Sequence, residues 1–122
     1  MVGVIWLVQL VHYPVFEFLD RATFARCHAY HSSAISVVVM PGMLIELALA
    51  SLMLFKRADL PAFIGLALLI LIWGMTFLVM IPLHTKLGSE GYHLQLIQSL
   101  VQWNWLRTIA WTARGFLAAF WL

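Results

Sequence analysis

Four apolar stretches, at residues 1–19, 33–55, 60–83 and 100–122, occupy most of this chain and leave it few ways to fold. About 20 consecutive apolar residues cross the hydrocarbon core of a bilayer as a helix, and 18 or more with few charges mark a candidate span. With 64% hydrophobic and 10% charged residues among 122, the chain falls outside the usual range for a water-soluble domain. Only three links remain: DRATFARCHAYH (20–31), KRAD (56–59) and HTKLGSEGYH (84–93). Links this short predict an all-α membrane protein, an antiparallel four-transmembrane-helix bundle forming a single domain over 1–122. The first stretch lacks the charged start and small-residue cleavage site of a secretory signal, so it is expected to be retained.

Local signals agree with these ends. Asp59 is expected to cap the third helix with Pro61 in its first turn, and Gly88 and Gly91 to break the chain before the fourth. A short helix is expected after Asp20. Lys56 and Arg57 on one side of the bundle nearly balance Arg21, Arg26 and Lys86 on the other, so the positive-inside rule ends close to a tie. Cys27 is the lone cysteine, which excludes an intrachain disulfide and a paired-cysteine metal site. No basic stripe exists for nucleic acid.

Ionisable groups inside a bilayer are costly and require a partner or a task. Here they are Glu46, Arg107 and Arg114, with the polar Gln9, His12 and Asn104, while Glu17, His28, His31, His84 and His93 stand near one boundary. Helical spacing puts Gln9 and His12 on one face of the first helix, and Asn104, Arg107, Trp111 and Arg114 on one face of the fourth. Glu46 lies fifteen residues beyond His31, a rise of about 22 Å, so the two cannot hold the same ion. Arg107 or Arg114 is at its level, and a buried ion pair competes with a role in binding or proton transfer.

The histidines converge if the links fold inward. Three or four neutral imidazoles suit iron, copper or zinc, with His12, His28, His31 and His84 as the metal ligands, and iron or copper favoured over zinc. His12 and His84 could instead clamp a haem. Against this, a histidine at a membrane boundary is commonly just wetted, as His28, His31, His93 and Glu17 could be. Pro14 should bend the first helix and free the Leu10 carbonyl to orient the His12 ring, and Pro41 and Pro82 should interrupt the second and third helices in a comparable way. The tryptophans and the tyrosines Tyr13, Tyr30 and Tyr92 read as interfacial belts or packing, and the methionines as core filler.

The motifs VHYP, HAYH, MPGMLIE, IPLH and NWLRTIAWTARG, in that order, resemble a family of small bacterial four-helix integral membrane proteins, most specifically in the closing segment. The resemblance implies the fold and an inner-membrane location, and it carries over no catalytic residue. Similarity in size and helix count to anthrone-oxygenase-like membrane proteins is an analogy of fold alone. The expected function is a membrane-embedded redox protein or oxidoreductase with a His-coordinated metal, acting on a lipophilic small molecule. Glu46, Asn104 and Arg107 would line its cavity or shuttle protons. The alternatives are a non-enzymatic membrane subunit or anchor, as a homo-oligomer or beside a partner subunit, and a carrier of haem or of a lipophilic or anionic ligand that uses Arg107 and Arg114.

Overall fold

The computed structural model describes residues 1–121; Leu122, which ends the fourth predicted stretch, lies outside the described residues. Four helical segments account for nearly all of them: α1 (Val2–Phe18), α2 (Arg21–Arg57), α3 (Leu60–Glu90) and α4 (Leu94–Trp121). No strand occurs among the described residues. Both α2 and α3 are long and apolar enough to cross a membrane.

Three boundaries differ from expectation, for one reason. A helix continues while its backbone groups find partners, whatever the polarity of its side chains. The link after Asp20 is no link, because α2 starts at Arg21 and runs unbroken through Pro41 to Arg57. Asp20 caps it, accepting the Thr23 amide at 2.6 Å, and that bond holds its carboxyl below the usual aspartate range. Likewise α3 continues past Leu83 to Glu90 and stops where Gly91 takes φ 76°. The fourth helix begins at Leu94, six residues before its apolar run. The turn between α2 and α3 follows the sequence closely: Ala58 is left-handed at φ 48°, Asp59 accepts the Ala62 amide at 3.0 Å, and Pro61 sits in the first turn.

Two of the prolines act through a different distortion from a simple bend. Before Pro14, the turn Val8–His12 widens and the Tyr13 amide reaches back to the Val8 carbonyl. Before Pro82, Thr76–Met80 widens in the same way, with the Ile81 amide on the Thr76 carbonyl. A wide turn accommodates a ring that would otherwise collide with the carbonyl four residues back.

Packing centres on α4, which lies against α1 and α3, while α2 rests on α3. A Cβ at Gly115 would lie 2.7 Å from Val2 Cγ2, so α4 meets α1 at a contact that glycine permits. One apolar cluster gathers Tyr13, Phe16, Phe24, Met80, Leu87 and Leu100; another gathers Ile5, Met43, Leu69, Ile72 and Trp111. Buried polar residues accompany these clusters, Gln9, Thr76, Asn104, Arg107 and Thr108 among them. The outside reverses the pattern of a soluble protein, with Val37, Ile45, Phe55, Leu78, Ile109 and Phe120 all exposed.

Asp59→Ala removes the side-chain cap of α3 and is expected to cost about 1 kcal/mol, with Asp59→Asn nearly neutral. Thermal unfolding of the detergent-solubilised protein reads the difference.

Candidate functional site

Helix continuity brings four histidines together. His12 comes from α1, His28 and His31 from successive turns of α2, and His84 from α3. Ring centroids lie 5.3 Å apart for His12 and His31, 5.2 Å for His28 and His84, and 6.2 Å for His31 and His84. Phe16 packs against both α2 histidines, and Phe24 stacks on His28 at 5.4 Å. The expected inward folding of links is not what gathers them. Helical backbone positions all four.

His84 is held at both nitrogens. Its Nε2 shares a hydrogen with Tyr13 Oη at 3.0 Å, and its Nδ1 shares one with His28 Nε2, also at 3.0 Å. A neutral imidazole accepts at one nitrogen and donates at the other. Tyr13, His84 and His28 therefore form a continuous chain along which a proton can pass. By contrast, His12 Nδ1 and His31 Nε2 are buried with no hydrogen-bond partner. The Leu10 carbonyl does not orient His12 as the proline argument expects. Among the described residues no group of three or more His, Cys, Asp or Glu side chains is placed so that it could hold a metal ion.

Beside the histidines lies a buried polar layer between α1 and α4. Asn104 Nδ2 donates to Gln9 Oε1 at 2.9 Å, Gln9 Nε2 donates to the Val101 carbonyl at 3.2 Å, and Thr108 Oγ1 approaches Gln9 Oε1 at 3.3 Å. Arg107 Nη1 donates to Asn104 Oδ1 at 3.0 Å. Arg107, Tyr13 and His84 share the wall of a cavity of about 120 Å³. A larger open groove of about 400 Å³ runs between α2 and α3, with His28 and His84 in its lining.

Glu46 is elsewhere. It pairs with Arg114 at 2.8 Å, and Arg114 also donates to the Gly65 carbonyl, so the sequence-predicted trio of Glu46, Asn104 and Arg107 is divided between two places. His93 is exposed and stands apart from the other histidines, and Glu17 contributes only its carbonyl, to the Tyr92 hydroxyl. Tyr13, assigned by composition to belts or packing, is buried at the centre of the site. Its place directly after His12 was the available signal. Thr108, one turn beyond Asn104, was legible by the same helical rule.

Comparison of the chain with family models, with curated proteins and with solved structures finds no match.

Asn104→Leu leaves both Gln9 and Arg107 without their shared partner in a buried layer. The expected loss is about 1–3 kcal/mol, measured by denaturant unfolding against wild type.

Proposed function

We propose that this chain is a membrane-embedded redox protein in which His12, His28, His31 and His84 hold an iron or copper ion that acts on a lipophilic substrate. The fold in this reading is an antiparallel four-transmembrane bundle in the bacterial inner membrane, following the motif likeness. The observation that carries the proposal is the gathering of four imidazoles from three helices, two of them with a buried nitrogen that nothing in the protein satisfies. Buried polar atoms without partners are rare enough to need a cause, and a role as ligands to an ion is one.

The geometry supports a bare ion over haem. His28 Nε2 and His84 Nδ1, which now share a hydrogen bond at 3.0 Å, would hold the ion in place of that bond. Tyr13 would then orient His84 through its other nitrogen, the usual arrangement around a ligating histidine. His12 and His31, whose buried nitrogens are uncommitted, would supply the remaining ligands. Haem between His12 and His84 would have to displace rings that already pack together. At about 55 Å, α2 exceeds a hydrocarbon core of about 30 Å, so its histidine-bearing early turns reach one boundary, where ions and protons are available.

When bound, the ion supplies electron transfer. The chain's own groups do the rest: Tyr13, bonded to His84 Nε2, would orient that ring, and Phe16 and Phe24 pack against the α2 histidines and hold them in place.

Elemental analysis of detergent-purified protein is expected to find about one iron or copper per chain, lost in His12→Ala and His31→Ala and retained in His93→Ala. A preparation that stays metal-free and colourless after incubation with both metals overturns the reading, as does full stoichiometry in the two cluster variants.

A further inference from the structure

We infer that the cavity beside the histidines is an anion receptor, in which Arg107 binds the oxyanion head of the lipophilic substrate. Arg107 is 6% exposed. The one ion pair among the described residues joins Glu46 to Arg114, so no carboxylate neutralises Arg107. Its protein acceptors are uncharged, the amide oxygen Asn104 Oδ1 with the Tyr13 hydroxyl beside it, and its Nε is buried with no partner. A guanidinium carries five donors in a fork that matches a carboxylate or phenolate. A buried cation left uncompensated is costly, and the cost falls when an anion enters.

The surroundings suit that guest. Tyr13 and His84 share the cavity wall with Arg107 and add hydrogen-bonding groups to it. The volume, about 120 Å³, matches roughly four water molecules at about 30 Å³ each, enough for a charged head and a few carbons. A tail has somewhere to go. Ile35, Ser36, Ile81 and His84 line both this cavity and the open groove between α2 and α3, so the two spaces share one wall. Along the groove the hydroxyls of Ser36 and Thr85 donate to carbonyls of their own helices, Ser32 Oγ has no partner, and Ala25, Ala29, Ile35 and Ile81 supply aliphatic surface for an alkyl chain.

The inference rests on the histidine cluster as the reacting centre, whose substrate it describes, but anion binding itself needs no metal. Octanoate and octanol are the probes, titrated calorimetrically into the full chain in nonionic detergent, both metal-loaded and chelator-stripped. Octanoate is expected to bind saturably in both preparations, about tenfold or more tighter than octanol, and about tenfold or more weaker in Arg107→Gln. Equal affinity for the two probes, or unchanged octanoate binding in Arg107→Gln, overturns the inference. Should that variant fail to fold, wild type is expected to be stabilised against heat by octanoate more than by octanol, and equal shifts overturn it. Arg107-dependent octanoate binding in protein that takes up no iron or copper upholds the anion site while removing the metal reading.

Discussion

The bond from the Thr23 amide to the Asp20 carboxylate decides where α2 begins, and the height of its histidines follows from that start. His12 lies eight residues before Asp20 and His28 eight residues after it. At 1.5 Å per residue each stands about 12 Å along its helix from the same turn. His31 follows one turn later and meets His12 ring to ring. Had α2 begun near Ser33, where apolarity begins, both histidines would hang in a polar connection. A cap of one side chain therefore separates a wetted loop from a half-buried cluster.

The interior treats its two deep arginines differently, and the contrast is informative. Arg114 is neutralised by Glu46 and tied to the Gly65 carbonyl, a set of bonds that joins α2, α3 and α4. Both line a cavity, but Arg107 has no carboxylate beside it and a neutral amide as its partner. Ion pairs of the first kind fix the register between helices and leave little for a ligand to do. A cation of the second kind is an unfinished interaction. With apolar residues turned outward over α2 and α3, hydrophobic burial inside the protein is limited, and polar contacts between helices carry more of the specificity of packing.

Much of this was readable in advance, for identifiable reasons. Length and apolarity mark the helices, and Asp59 with Pro61 marks a start because the cap is local chemistry. The polar face of Asn104 and Arg107 follows from spacing alone. What composition hides is how far a helix runs beyond its apolar core: His28, His31 and His84 sit in polar sequence that nevertheless keeps its backbone bonds. Composition also cannot separate Tyr13, buried against His84, from an interfacial tyrosine such as the exposed Tyr30. Whether Glu46 reaches Arg107 or Arg114 depends on helix rotation, which no single helix specifies.

The two widened turns explain how so few residues of α1 and α3 serve so many neighbours. Side chains four apart drift by about 40° around a regular α-helix. A turn that takes in an extra residue cancels part of that drift, and such turns recur at functional sites. In α1 the turn before Pro14 lets Gln9 address Asn104 on α4, Tyr13 address His84 on α3, and His12 address His31 on α2. In α3 the turn before Pro82 keeps Thr76, Met80 and His84 on the inner side through two successive steps of four. The prolines thus act on the aim of side chains on either side of them. His12 sits two residues before Pro14 and His84 two residues after Pro82, and both rings point into one cluster because the backbone near each proline is wound more loosely.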